Sequence, residues 1–264
     1  MNTEVSRDIF KLDTKEATKG LIEWIRTWFD ENGKGCNAVI GISGGKDSSV
    51  AAALCVQALG KERVIGVLMP NISQGDIGDS YDLVNHLGIR YYVIPVTMAV
   101  ADTINQIAAE GIKVSSQTML NLPPRIRMST LYAISQSVNG RVINTSNLSE
   151  GYIGWGTRFG DTVGDVSLFA TFTASEVIEI GHELGLPEHL VNKVPSDGLS
   201  GKTDEDNFGF TYKTLDSYIR NGQPCSGEEY DKIIDMHEKS AFKRAWIPFF
   251  DAYQYIDYAN ESEE

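Results

Sequence analysis

Apolar residues recur at helical spacing from Thr14 to Asp30, where Leu21, Ile22, Ile25, Trp28 and Phe29 form one stripe and Trp24 widens it. The stripe predicts a helix packed on the domain, with an oligomer contact as the second reading. Asn32-Gly33-Lys34-Gly35 closes it as a C-cap and turn. The polar residues 1 to 13 before it are expected to be loosely held.

Four short apolar runs without helical period follow, at Ala38–Ile42, Arg63–Met69, Arg90–Val96 and Arg141–Thr145, and these predict strands. Helical stretches separate them. One starts near Val50. A second runs from Asp79 to Leu87 and stops at Gly88. Residues 98 to 120 read as a helix plus a polar connector, Gly111 to Gln117. A new helix is expected from Asn121 through Val138, with Asn121 as N-cap and Pro123 and Pro124 in its first turn. Its Arg125 and Arg127 would then sit against the helix dipole, a placement that fits an acidic ligand or a solvated face. Two C-terminal helices, near 211–221 and 227–240, should pack beside the sheet. Strand and helix alternate, which gives an α/β fold: a Rossmann-like parallel sheet with helices on both faces.

Ligands in such sheets bind outside the carboxyl ends of the strands. The loop at Ser43, the loop from Asn71 to Ser80 and the end of the third strand at Val96 all lie on that edge. The Asn71 loop either holds a nucleoside or simply connects. The richest stretch is Gly41-Ile42-Ser43-Gly44-Gly45-Lys46-Asp47-Ser48, set between the first strand and its helix. Glycines there let backbone N–H groups approach an anion closely. A helix N-terminus adds about half a positive charge. Asp47 would repel a bare polyphosphate, and a magnesium ion between them removes the repulsion. The stretch therefore predicts nucleotide plus magnesium. Glu150 closely follows the fourth strand on the same edge. Position alone leaves it as a second magnesium ligand or as a solvated carboxylate at a helix start.

Competing motifs fit these letters less well. Gly41-Ile42-Ser43-Gly44-Gly45 satisfies G-x-S-x-G, but an esterase needs strands before its nucleophile strand, and here one helix precedes it. A Walker loop fails at Ile40 and Asp47, and the dinucleotide fingerprint fails too. Ser-Gly-Lys-Thr at 200–203 lacks a leading strand. The acidic run 204–209 lacks calcium ligands at Phe208 and Leu215.

Composition narrows the class. Formal net charge is −13 and no basic patch stands out, which excludes a nucleic-acid partner. Cys36, Cys55 and Cys225 are odd in number and far apart, as expected for reduced thiols in a cytoplasmic protein, and neither they nor the four histidines show metal spacing. No signal peptide is expected, and no apolar run reaches the ~18 residues of a membrane span.

Ser43-Gly44-Gly45-Lys46-Asp47-Ser48 resembles the pyrophosphate loop of the ATP pyrophosphatases, which activate substrates by adenylation. Four further blocks narrow the resemblance to the NAD synthetase family: Asn121–Ile134, Val142–Asp165, Val194–Leu199 with Thr211–Asp216, and Ser240–Arg244 with Pro248. The resemblance covers most of the chain. It implies an adenine nucleotide alpha hydrolase-like fold in a single domain over 1–264, ATP as cosubstrate and Mg2+ as cofactor. It implies that Gly41 through Ser48, Thr145 and Ser196 hold ATP and that Asp47 and Glu150 hold magnesium. It places Arg125, Arg158, Asp165 and Lys243 on the dinucleotide substrate, and it implies a homodimer.

This chain departs from the family pattern at several positions. Arg158 replaces a usual lysine, Ser196 a usual threonine and Lys46 a common glutamine. Ala174 stands where the family has an ATP-binding lysine, and Phe242 where it has a histidine. Lys46 either supplies the cation lost at Ala174 or points to solvent.

The implied reaction is amidation of nicotinic acid adenine dinucleotide through an acyl-adenylate. Free ammonia is the expected donor, because the synthetase reading consumes all 264 residues and leaves no glutaminase domain. A separate glutaminase partner stays open. Residues 197–210 are the expected lid and 256–264 an acidic disordered tail. The rivals are an amidase taking nicotinic acid mononucleotide or another small carboxylate, and a nucleotide-binding protein without turnover.

Overall fold

The structure, a computed structural model, describes residues 11–71, 77–193, 203–222 and 226–255. The elements run α1 (Thr14–Asn32), β1 (Asn37–Gly41), α2 (Lys46–Leu59), β2 (Val64–Leu68), α3 (Ile77–Leu87), β3 (Arg90–Val93), α4 (Thr97–Ala109) and α5 (Ser116–Ser137). They continue with β4 (Gly140–Asn144), α6 (Leu148–Ile153), β5 (Val166–Ser167), α7 (Ala174–Glu183), α8 (Glu188–Val191), α9 (Asp204–Phe208), α10 (Tyr212–Asn221), α11 (Gly227–Lys239) and α12 (Ala241–Arg244).

All strands pair in parallel, in the order β3-β2-β1-β4-β5. Chain order reverses beside β1, and that switch point opens a crevice at the strands' carboxyl ends. Alternation along β1 divides the core. Ala38 and Ile40 join a cluster with Leu21, Ile25 and Phe29 of α1, Leu54 of α2 and Val177 and Ile180 of α7. Val39 points the other way, with Ile65 and Val67, onto Val100 of α4 and the flank of α5. Leu21, Ile25 and Phe29 are the buried stripe of α1, while Trp24 faces out at 45% exposure and does not widen it.

Three local expectations are corrected. The helix expected at Asn121 begins at Ser116, because Ser115 caps it by accepting from Thr118 N. Pro123 and Pro124 therefore lie inside the helix, and Arg125 and Arg127 are mid-helix residues outside the reach of the N-terminal dipole. The helix after the first strand begins at Lys46, so Asp47 and Ser48 belong to its first turn. The C-terminal helices α10 and α11 pack on α6 and α7 through a satellite core of Ile153, Ala174, Phe208, Tyr212, Leu215 and Ile233, one layer away from the sheet. The fifth strand, two residues long, carries no periodicity and was not expected from sequence.

Ser196, the first part of the expected lid (197–202), residues 72–76 of the Asn71 loop and the tail 256–264 lie outside the described residues. Among the described residues no helix is long and apolar enough to cross a membrane.

Candidate active site

The β1–α2 corner is shaped around Gly44. Its φ is +77°, and a Cβ there would come within 3.0 Å of Asp79 Cβ and Ser80 N at the start of α3. The loop is held from inside. Ser43 N donates to Ser48 Oγ at 3.3 Å, Gly45 N donates to Ser43 Oγ at 3.2 Å, and Ser49 Oγ donates to Gly45 O at 2.8 Å. Gly45 is the N-cap and brings no side chain to the first-turn donors of α2, as an anion seat requires. Ser43 Oγ lies 3.2 Å from Ser48 Oγ rather than beside an imidazole, so the esterase reading has no base.

The β4–α6 corner brings the second acid. Asn147 caps α6 by accepting from Glu150 N at 3.0 Å, and Glu150 Oε2 accepts in return from Asn147 N at 3.2 Å. This reciprocal box fixes Glu150 one turn into the helix. Asn147 Nδ2 then reaches across to Asp47 Oδ1 at 3.0 Å. The other Asp47 oxygen, Oδ2, accepts from Lys46 Nζ at 2.8 Å.

Lys46 does not point to solvent. It is 3% exposed and its Nζ lies 5.4 Å from the centre of the Tyr212 ring. Burial works against its charge, but the carboxylates of Asp47, Glu150 and Asp204 outweigh it and hold the ammonium above its ordinary value. Tyr212 donates its hydroxyl to Asp204 Oδ2 at 3.2 Å. Its phenol is raised by burial first and by the same carboxylates second. Glu150 is pushed up to about 8, by burial and then by Asp47, with Lys46 and the Asn147 N–H opposing. The pocket thus holds more negative charge than one ammonium balances. Its oxygen donors suit a small hard dication, and Asp47 with Glu150 could hold one.

Ala174 itself brings no charge to the start of α7, where Arg220 of α10 pairs instead with Glu176 of the first turn. Ala174 is buried, its N–H donates to Ser149 Oγ at 2.9 Å, and Ser149 Oγ donates to Asp216 Oδ1 at 2.5 Å. Asp216 Oδ2 accepts from Ser175 N at 2.8 Å, so this helix start is filled by a carboxylate from α10. Thr145 follows β4 on the same edge as Asp47, half-buried.

The basic positions gather a short way off. Arg158 and Lys243 line a cavity of about 290 Å3 with Thr162, Arg244 and Trp246. Lys243 Nζ donates to the carbonyls of Gly154 and Gly156 at 2.8 and 2.9 Å, and burial lowers its basicity while Asp161 partly restores it. Arg158 donates to Ala245 O at 3.1 Å, and Arg125 Nε donates to Arg158 O at 3.4 Å. Phe242 packs here as well. Its ring lies 5.8 Å from the Arg158 guanidinium, and Phe159 covers that group at 4.8 Å. Asp165 accepts from Val142 N at 2.7 Å and faces the Tyr132 hydroxyl.

Sequence reasoning missed Asn147, Asp204 and Tyr212 as members of the acidic pocket, and Arg244 and Trp246 as cavity walls. Asn147 had a readable signal: Asn-Leu-Ser-Glu is a capping-box spacing. The others depend on helices that meet only in three dimensions.

Residues 17–246 match the family model described as NAD synthase. An NH(3)-dependent NAD(+) synthetase of Methanococcus aeolicus is 39% identical over 216 residues, covering 79% of this chain and 83% of that protein. The structure of an NMN synthetase from Francisella tularensis superposes with a TM-score of 0.84 at 30% identity, covering 91% of this chain and 100% of that one. The NH3-dependent NAD synthetase of Campylobacter jejuni gives 0.74 at 26% identity, with the same coverage.

Proposed function

The chain belongs to the NAD synthase family, and from that premise we propose that it is an ATP-dependent, ammonia-using ligase that amidates nicotinic acid adenine dinucleotide to NAD, releasing AMP and pyrophosphate. The observation that carries the reading is the convergence of Asp47 and Glu150, from two different sheet-edge corners, beside a glycine loop whose helix start no side chain caps.

A carboxylate resists nucleophiles because of its charge, and adenylation removes that charge. The nicotinate carboxylate attacks the α-phosphorus of ATP, the bond to pyrophosphate breaks, and an acyl-adenylate forms. Ammonia then attacks the acyl carbon, AMP leaves, and a proton is lost. Gly41 through Ser48 and Thr145 seat the nucleotide, the loop N–H groups facing its phosphates. Asp47 and Glu150 would hold magnesium, which supplies charge neutralisation for the polyphosphate. Arg158 and Lys243, with Arg125 behind them, hold the acidic substrate, and Asp165 steadies the β4 edge. No residue becomes a covalent nucleophile; the contribution is positioning. Ser196, outside the described residues, is assigned to ATP on the sequence resemblance.

Given ATP, magnesium, ammonium and the dinucleotide, the protein should release pyrophosphate, and Asp47→Ala should abolish that release. Unchanged turnover in Asp47→Ala would sink the assigned role.

A second reading has its own support. The mononucleotide-making Francisella enzyme superposes better than the Campylobacter NAD synthetase, and the cavity at Arg158 and Lys243 sits at the low end of the roughly 300–1,000 Å3 usual for ligand sites. On this reading the substrate is nicotinic acid mononucleotide. Comparing kcat/KM for the two nucleotides in the same assay decides between them.

A homodimer fits the surface. Tyr91 and Val93 of the edge strand β3 on one face of the sheet, and Met98 of α4 with Met119 and Leu120 of α5 on the elements covering the other, are all exposed apolar side chains. Sedimentation would give the mass.

A further inference from the structure

We propose that Lys46 is a built-in counter-ion: its ammonium keeps the carboxylate pocket assembled before ligands arrive, yields Asp47 to the divalent cation, and then swings onto the polyphosphate. The inference rests on the reading of Asp47 and Glu150 as the metal pair.

The Lys46 ammonium on α2 donates to Asp47 Oδ2 at 2.8 Å, and the carboxylates of Glu150 on α6 and Asp204 on α9 act on it through space. Like charges in a half-dry pocket repel, and the ammonium offsets that repulsion between the β1–α2 and β4–α6 corners. Asn147 holds Oδ1 at 3.0 Å, so both oxygens of Asp47 are already engaged. A dication cannot bind Oδ2 while the ammonium sits against it, since two cations at that spacing repel. Binding of metal must therefore displace Lys46 from Asp47.

The displaced ammonium has a place to go. Lys46 opens the first turn of α2, immediately after Gly44 and Gly45, where an anion would lie. Rotation of its outer torsions carries the charge toward the phosphates without moving the backbone, because the side chain is a flexible four-carbon stem. At the neighbouring α7 start, where Ala174 stands, Asp216 accepts from Ser175 N. The cation is thus carried on the loop itself, and metal entry is coupled to nucleotide entry: Mg2+ alone must displace an ammonium that has no anion to move to, whereas Mg2+ with ATP brings an anion to receive the lysine.

The test measures Mn2+ binding by electron paramagnetic resonance, with and without a non-hydrolysable ATP analogue, on wild type, Lys46→Gln and Lys46→Arg. Wild type should take up Mn2+ weakly without nucleotide and tightly with it. Lys46→Gln should bind Mn2+ about tenfold more tightly without nucleotide and bind the analogue about tenfold more weakly. Lys46→Arg, still cationic, should keep the weak nucleotide-free binding. If Lys46→Gln does not fold, Lys46→Met, of similar length and no charge, takes its place. Unchanged nucleotide-free Mn2+ affinity on loss of the charge overturns the counter-ion role. Failure of wild type and Asp47→Asn to differ in Mn2+ binding with the analogue overturns the metal assignment instead.

Discussion

Asn147 Nδ2 lies 3.0 Å from Asp47 Oδ1, a single hydrogen bond that joins two sheet-edge corners 100 residues apart in the chain. The same side chain caps α6 through its oxygen, so one amide sets both the start of that helix and the orientation of the first carboxylate. Asn147→Ala should lower kcat/KM for ATP about tenfold or more, the usual scale for a group that orients a metal ligand. It should also lower the melting temperature through loss of the cap. Asn147→Ser keeps a capping oxygen but loses the amide N–H that reaches Asp47, so it should recover stability without recovering kcat/KM. Equal recovery of both by Asn147→Ser would reduce the residue to a cap.

Glu150 makes stability depend on pH in a defined window. Its carboxyl is pushed up to about 8, so between its ordinary value near 4.5 and that point the folded chain binds more protons than the unfolded one. Stability from this group is present at low pH and is lost as pH rises toward 8, by at most about 1.4 kcal/mol per pH unit. Urea unfolding of the metal-free protein at pH 5, 6, 7 and 8 should show that slope, and Glu150→Gln should flatten it. Glutamine keeps an oxygen for the Asn147 N–H, so the capping box survives and the comparison isolates the charge. An identical slope in the variant would place the titration elsewhere.

Lys243 is pinned by two carbonyls and Arg158 is sandwiched by two aromatic rings, so both charges are preset in the cavity wall. Lys243→Met and Arg158→Met should each raise the KM for the nicotinate nucleotide by about ten- to a hundredfold, with a much smaller change in the KM for ATP. Phe242→Ala should produce a milder rise, because the guanidinium loses one ring and gains freedom. Steady-state kinetics with each substrate varied in turn separates these effects.

Asp216 is held nearly dry between Ser149 Oγ and the Ser175 N–H at the start of α7. Burial raises its carboxyl, and the hydrogen bonds from Ser149 and Ser175 pull the other way. Asp216→Ala leaves those donors without a partner and should destabilise the fold by about 1–3 kcal/mol. Asp216→Asn retains an acceptor and should cost less. Denaturant midpoints for the two variants test the order.

Much of this was readable in advance. The four longer strands are short apolar runs, and burial on both faces of a parallel sheet demands that pattern. The Ser43–Ser48 loop was legible because only glycine tolerates the φ of +77° at Gly44 with Asp79 so close. The helix through Pro123 and Pro124 was misplaced, since Ser115 is a stronger cap signal than Asn121 and the interior prolines hid it. The orientation of Lys46 stayed open because a lysine beside a carboxylate is equally at home in water.

Local sequence, then, determined most of the longer elements, the parallel character of the sheet and the shape of the glycine loop, since helix period, strand pattern and glycine geometry act over a few residues. Tertiary structure alone decided that Asp47 and the Tyr212 ring meet one buried ammonium within the field of Glu150 and Asp204, and that Phe242 lies against Arg158. Those groups are brought together by packing of α6, α9 and α10 over long stretches of chain. Electrostatic energy depends on distance in space, which no spacing along the sequence encodes.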